Sequence, residues 1–278
     1  MTKAELIEAL AAAGSDEPRA EAKIILEEIF GVPFATQQLY PDREYDEKKL
    51  REVISQRGTG EPLQYIIGHA YFCREKYILN SDCLIPRQDT ELLVYKAAEL
   101  LPPHAHFADL CTGTGCVAIS TLCERKDTTA EACDVSEGAV AAARENARLN
   151  GVSGRLAVYS ADIFKDPLKD KKYNAILSNP PYIPTEVVKT LDREVLREPH
   201  RALDGGEDGL DFYRYIIKNF KKNLADGGFF AFEIGYDQGE AIVSLGKSEG
   251  CSCEVFRDVS GMARVAILYV NQEKQHIN

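Results

Sequence analysis

The chain has 278 residues, a formal net charge of −11, 45% hydrophobic and 28% charged residues, and a pI near 5.1. These totals exclude a disordered chain and leave room for one large or two modest domains with a sizeable core. Acidic residues outnumber basic ones on both sides of residue 86, which argues against a protein that grips nucleic acid through clustered Lys and Arg.

In chain order, Leu6, Ile7 and Leu10 predict a helix over 2–13, and Ala22, Ile25, Leu26 and Ile29 a second over 18–30, ended by Gly31-Val32-Pro33. Leu50, Val53 and Ile54 share one face of a third helix over 46–57, before Gly58 and Gly60. Such a bundle serves as a packing cap, a dimerisation element or a substrate-holding domain, and periodicity does not choose among them. Residues 62–86 turn β-branched and aromatic, with a turn signal at Asn80-Ser81-Asp82, and read as a hairpin linker. Asp89-Thr90-Glu91 opens a helix over 92–101 that Pro102-Pro103 ends.

From His106 onward strands and helices alternate. Strands are predicted at 107–110, 129–133, 156–159, 175–177, 228–234, 253–256 and 264–270, with helices at 114–125, 136–150, 212–224 and 238–250. Alternation of this kind predicts an α/β fold, a mostly parallel sheet with helices on both faces. The eight cysteines lie mostly in apolar runs, where the thiol behaves as a small hydrophobe. The one tight pair, Cys251-Ser252-Cys253, lacks the spacing of a zinc site, so no metal is expected. The N-terminus lacks a signal-peptide apolar core, and no stretch approaches the roughly 20 apolar residues of a membrane helix. A reduced, cytoplasmic protein without membrane contact is the expectation.

Four sites at strand ends carry chemistry. Asp109-Leu110-Cys111-Thr112-Gly113-Thr114-Gly115 joins a strand to its helix with glycines where a backbone must pass close to a ligand. About twenty residues later Asp134 ends the next strand, where a carboxylate accepts hydrogen bonds from ribose hydroxyls. With Ala118 the loop also fits Gly-x-Gly-x-x-Ala, so a nicotinamide dehydrogenase competes at this point. Asp162 follows the third strand, placed for an adenine amino group with Ile163 or Phe164 packed on the ring. Asn179-Pro180-Pro181-Tyr182 follows the apolar run 173–178. Pro180 cannot join a sheet ladder and keeps Asn179 out of the helical region, so the turn holds a carboxamide and backbone carbonyls at the sheet's carboxyl edge. No His, Lys or Tyr-Lys pair is placed beside it for hydride transfer. A carboxamide with a neighbouring carbonyl suits an uncharged amino or amide nitrogen.

These residues resemble the class I S-adenosylmethionine-dependent methyltransferases, and within them the protein-(glutamine-N5) methyltransferases that modify peptide-chain release factors. The likeness covers nearly the whole chain. It rests on Glu61-Pro62-Leu63-Gln64-Tyr65-Ile66-Ile67-Gly68, the linker Leu84-Ile85-Pro86-Arg87-Gln88-Asp89-Thr90-Glu91, the glycine loop, Asn-Pro-Pro-Tyr, the string 198–210 around Gly205-Gly206, and Phe232-Glu233-Ile234-Gly235. Asn-Pro-Pro-Tyr alone also suits enzymes acting on the adenine amino group of DNA or RNA, and the linker and Gly-Gly strings separate the two. The sequence departs from the family pattern at Cys111, usually Gly or another small residue, and at Ile163, usually aromatic.

The resemblance implies a Rossmann-like seven-stranded sheet with its last strand antiparallel, a helical substrate-holding domain over 1–61, a hairpin linker over 62–86 and a catalytic domain over 87–278. It implies S-adenosyl-L-methionine bound by Cys111, Thr112, Gly113, Thr114, Gly115, Asp134, Asp162, Ile163 and Asn179, and the release-factor glutamine held by Asn179, Pro180, Pro181 and Tyr182. Asn179 and Pro180 would accept the amide hydrogens, and Tyr182 would wall the pocket. Pro86 is expected beside the cofactor mouth, Phe72 there or in the core, and Arg87 and Glu91 either as residues that order the linker by hydrogen bonding or as surface residues. A monomer without direct nucleic-acid contact completes the expectation.

Overall fold

The computed structural model describes residues 1–270. The chain divides into two compact units: Met1–His69 together with Asp192–Arg197, and Ala70–Leu191 together with the chain from Glu198.

The first unit contains α1 (Lys3–Ala12), α2 (Pro18–Glu28), α3 (Phe34–Leu39), α4 (Glu47–Gly58) and α5 (Leu63–Ile67). Thr2 and Glu5 form a reciprocal capping box on α1, Pro18 takes the first turn of α2, and the Asp46 side chain caps α4. Leu6, Leu10, Ile25, Leu26, Leu50 and Val53 meet in one core, the faces that periodicity predicted. The buried Arg57 gives two bonds to Glu21, at 3.0 and 2.5 Å, and one to Glu194 at 2.6 Å. Arg193 and Arg197 each donate to a carbonyl at the end of α4, those of Gly58 and Thr59, both at 2.5 Å. Cations there complement the negative end of the helix dipole.

The hairpin is shorter than expected. Its strands are β1 (His69–Phe72) and β2 (Glu75–Ile78), and the turn is made by Cys73, at φ 51°, with Arg74. The expected turn residues Asn80-Ser81-Asp82 instead form a side-chain turn beyond it, Asn80 Oδ1 accepting from Asp82 N at 2.9 Å. The first residues of the predicted hairpin, Leu63–Ile67, are the helix α5.

The second unit carries a seven-stranded sheet of β3 (His106–Leu110), β4 (Thr129–Asp134), β5 (Leu156–Ser160), β6 (Tyr173–Ser178), β7 (Leu224–Glu233), β8 (Cys251–Arg257) and β9 (Ala263–Val270). The order is β5-β4-β3-β6-β7-β9-β8; β9 runs antiparallel to both of its neighbours, and every other adjacent pair is parallel. The final strand is therefore antiparallel, as the resemblance implied. Alternation along the strands sorts side chains to two faces. Phe107, Ala175, Leu177, Phe229 and Ala231 join the core with α6 (Glu91–Leu100), α7 (Cys116–Glu124) and α8 (Glu137–Leu149). Ala108, Leu110, Ile176, Phe230 and Phe232 join the core with α10 (Asp211–Phe220) and α11 (Gly239–Ser248). A further short helix, α9 (Thr185–Val188), follows the Asn-Pro-Pro-Tyr turn. The strand order reverses between β3 and β6, which opens a crevice outside their carboxyl ends.

Candidate active site

A cavity lies at that crevice. Its wall includes Cys111, Thr112, Gly113 and Thr114 from the β3–α7 loop, Asp134 after β4, Asp162, Ile163 and Phe164 after β5, and Asn179 and Pro181 after β6. Pro86, Arg87 and Thr90 line it from the linker, and Arg201 from the late string. Gly115, Pro180 and Tyr182 are not among the lining residues, and Phe72 is buried in the core, against Tyr77.

The loop is held from beneath by Asp109. This fully buried carboxylate takes the Thr112 hydroxyl at 2.5 Å and Ala118 N at 3.2 Å, both on Oδ2. Cys111 sits at φ 58°, a left-handed conformation that accounts for glycine being the commoner choice there. Gly115, at φ 82°, delays α7 to Cys116 rather than Thr114, and a Cβ on it would stand 2.9 Å from Ile119 Cδ1 and 3.1 Å from Ala143 Cβ. Glycine at that position lets α7 and α8 approach.

Burial pushes the Asp109 pKa up to about 7, because loss of water outweighs its two hydrogen bonds. A raised acid pKa means the folded state holds a proton that the unfolded state has already released between pH 4 and 7, so this residue's contribution to stability falls as pH rises through that window. Asp109→Asn keeps an acceptor in place of Oδ2 without the charge. It should be more stable than the parent at pH 8 by on the order of 2 to 4 kcal/mol, with the gain shrinking toward pH 4. Denaturant unfolding at both pH values checks this, and a gain that does not change with pH would refute it.

Asp134 spans two elements, accepting from Gly113 N through Oδ2 and from Ser136 N through Oδ1, each at 2.9 Å. Burial is the largest influence on it and raises its pKa. Asp162 accepts from Phe164 N at 3.0 Å. Ile163 belongs to the core, whereas Phe164 is 46% exposed and packs edge-on against Phe212 and Tyr215. The linker is fixed by Glu198, which accepts from Ile85 N at 2.9 Å and pairs with Arg87. Glu91 accepts from Cys73 N at 2.8 Å.

At the turn, Asn179 Nδ2 donates to Thr90 Oγ1 at 3.2 Å. Tyr182, expected to wall the pocket, donates its hydroxyl to Glu233 Oε1 at 3.2 Å. Gln238 Nε2 gives one bond to the Tyr182 carbonyl at 2.9 Å and another to that of Gly209 at 3.2 Å. The glycine string gains its meaning here. A Cβ on Gly205 would lie 2.7 Å from Tyr182 Cα, and one on Gly209 would lie 2.2 Å from the Tyr182 oxygen. The string is the backing against which the Asn-Pro-Pro-Tyr turn rests.

Thr90, Glu233 and Gln238 were not among the predicted site residues. Glu233 carried a signal, a carboxylate closing the apolar run Phe229-Phe230-Ala231-Phe232. It is fully buried, and desolvation pushes its pKa up to about 7. All eight cysteines are free thiols, and burial raises the pKa of each. Among the described residues, no helix is long and apolar enough to cross a membrane, and no group of three His, Cys, Asp or Glu could hold a metal ion.

S-adenosylmethionine fits the chemistry of this lining: carboxylates after β4 and β5, the apolar Ile163, and open space above Gly113, where a Cβ would meet nothing within 4 Å.

Residues 4–68 match the PrmC N-terminal domain, and residues 88–209 match the Methyltransferase small domain. A "Release factor glutamine methyltransferase" of Moorella thermoacetica is 36% identical over 278 residues, covering 97% of each chain. One of Geobacter sulfurreducens is 34% identical over 261 residues, covering 92% of this chain and 91% of its own. Among solved structures, the hMettl16 catalytic domain, in complex with the MAT2A 3′UTR hairpin 6, superposes with a TM-score of 0.55 at 14% identity, covering 94% of this chain and 84% of that one. At that identity the likeness is one of fold. The two domain matches and the full-length identity to these relatives place the chain in the release factor glutamine methyltransferase family, whose methyl donor is S-adenosylmethionine.

Proposed function

We infer that this chain transfers the methyl group of S-adenosylmethionine to the side-chain amide nitrogen of the glutamine in the Gly-Gly-Gln motif of peptide-chain release factors. The observation that carries this reading is the orientation of Asn179. Its Nδ2 is tied to Thr90, which leaves Oδ1 to act as the acceptor on a residue of the cavity wall.

The donor, when bound, supplies an electrophilic methyl on a sulfonium. What remains for the protein is to bring the nucleophile into line. A glutamine amide nitrogen is a weak nucleophile because its lone pair is delocalised into the carbonyl. Asn179 Oδ1 and the Pro180 carbonyl accept its two N–H groups, face the lone pair toward the methyl and stabilise positive charge as the nitrogen becomes tetrahedral. Tyr182, anchored on Glu233, fixes the far end of the turn. No base is needed for the transfer, and the proton leaves afterwards. Asp134 holds the ribose hydroxyls, and Asp162 and Ile163 the adenine.

The acidic balance supports a protein acceptor over a nucleobase and an enzyme that does not grip nucleic acid directly, and we take it to act as a cytoplasmic monomer. The helical unit is proposed to hold the release factor. The test is incubation with labelled S-adenosylmethionine and a release factor, beside the same factor with its Gly-Gly-Gln glutamine replaced, followed by mass spectrometry. Label on that glutamine alone supports the reading. Label only on an added oligonucleotide would move the assignment to an amino group of a nucleobase.

A further inference from the structure

The buried face of α8 is made of Ala139, Val140, Ala142, Ala143 and Ala147, and among them stands Asn146, fully buried. Asparagine is a poor helix former, and a carboxamide kept from water is costly unless it is hydrogen-bonded. Its partners explain why no apolar residue takes its place. We propose that Asn146 is a positioning residue that locks the cofactor loop to the hairpin, so that affinity for S-adenosylmethionine depends on a side chain outside the cavity wall and occupancy of the cavity is transmitted to Ile78. The proposal rests on the methyl donor alone and holds whatever the methyl acceptor is.

Both ends of the carboxamide are used. Oδ1 accepts from Ile78 N at 2.7 Å, and Nδ2 donates to the Ile78 oxygen and to the Thr114 oxygen, both at 3.0 Å. The two bonds to Ile78 copy the exchange that a residue on a neighbouring antiparallel strand would make. Asn150, one turn further along, donates from Nδ2 to the Lys76 oxygen at 3.0 Å. Alternate residues of a strand turn their backbone groups to the same edge, and their spacing of about 7 Å is close to the roughly 6 Å rise between helix residues four apart. Asn146 and Asn150 thus stand in for a strand along that edge of β2.

The third bond reaches the site. Thr114 lines the cavity, and the peptide from Thr114 to Gly115 is held at both ends, its carbonyl by Asn146 and its N–H by the Thr112 oxygen at 2.8 Å. The close approach of α7 to α8 at Gly115, where a Cβ would meet that of Ala143 at 3.1 Å, brings the Thr114 carbonyl within reach of Asn146, one turn on from Ala143. Asp109 and Asp134 hold Thr112, Ala118 and Gly113. Asn146 holds the peptide that follows them and extends the same carboxamide to the hairpin. A ligand that stills this loop stills the carboxamide, and with it the bond that protects the Ile78 amide.

Residue-resolved hydrogen exchange on the full chain, with and without S-adenosylmethionine, reads the coupling, and calorimetry with the same cofactor reads the affinity. Saturating cofactor should slow exchange of the Ile78 amide by about 10-fold or more, and that of Val152, which closes the far end of α8 on the Ala147 oxygen, by less than about 2-fold. Asn146→Asp keeps the acceptor for Ile78 but has at most one proton for two carbonyls. It should weaken cofactor binding by about 10- to 100-fold, because a buried carbonyl loses its donor, and abolish the response at Ile78. Asn150→Ala loses the Lys76 bond without touching the loop and should bind cofactor within about 2-fold of the parent. Equal slowing of Ile78 and Val152 in the parent overturns the proposal, whether or not the Asn146 variant folds. So does an Asn146→Asp protein with the parental dissociation constant, or an Asn150→Ala protein weakened as much as it.

Discussion

Asn179→Ala should bind S-adenosylmethionine with nearly unchanged affinity and turn over about 100- to 1000-fold more slowly, the loss expected when one preorganised partner of a transition-state charge is removed. The asymmetry between binding and rate follows from where the residue stands. The loop from Cys111 to Gly115 is organised by Asp109 and by Asp134, neither of which touches Asn179 through a hydrogen bond. Its carboxamide oxygen matters to the acceptor nitrogen, and most when that nitrogen turns positive. Calorimetry for the cofactor and single-turnover kinetics with a release factor separate the two quantities. A variant that methylates at the parental rate would remove Asn179 from the chemistry.

Gly209→Ala should be nearly as damaging, though it adds one methyl group to a residue that does not line the cavity. Gly209 has φ 74°, and a Cβ there would stand 2.2 Å from the Tyr182 oxygen and 2.8 Å from Gln238 Nε2. Neither neighbour can give way cheaply. The first is backbone, and the second is bonded to Tyr182 and Gly209. The turn itself must move, and a displacement of about 1 Å at an aligned site costs on the order of 100-fold in rate. The left-handed conformation adds about 1 to 3 kcal/mol of strain, visible in thermal unfolding. Gly154→Ala is the control, because a Cβ there meets nothing within 4 Å and the backbone is not left-handed. Equal kcat in the two variants would mean that the position of the turn is not critical.

Much of this architecture is written in local patterns. Strands and helices alternate from His106 onward, which is why the α/β sheet could be read in advance; in the structure Phe107-Ala108 and Phe229-Phe230-Ala231-Phe232 sort to the two helical layers. The helices that escaped notice share a physical reason. Those at Phe34–Leu39, Leu63–Ile67 and Thr185–Val188 are too short to show a repeat, and each has a proline at its N-cap, Pro33, Pro62 and Pro184. Proline was read as a terminator at Pro33 although it also starts helices well, its fixed φ suiting the entry and its missing N–H costing nothing there.

The site divides in the same way. Cys111, Thr112, Gly113, Thr114, Asp134, Asp162, Ile163 and Asn179 stand at strand ends, and strand ends were legible. Thr90, Glu233 and Gln238 were not, because their roles depend on partners far away in the chain. Thr90 meets Asn179 across 89 residues and Gln238 meets Tyr182 across 56. No spacing rule reaches that distance. The late Gly-Gly string marked the family without a reason until its closeness to Tyr182 supplied one.

The route of the chain through Asp192–Arg197 has a consequence for how this protein can be cut, fused or exchanged. Its two units are threaded rather than strung in tandem, since the chain leaves the second unit after Leu191, spends six residues in the first and returns at Glu198. A fragment beginning at Ala70 would carry Arg193 and Arg197 without the Gly58 and Thr59 carbonyls that receive them, and a fragment ending at His69 would leave Arg57 without Glu194. The six-residue segment and the first 69 residues therefore form a single inheritance unit: a chimaera that swaps the helical domain for a relative's should exchange the loop with it.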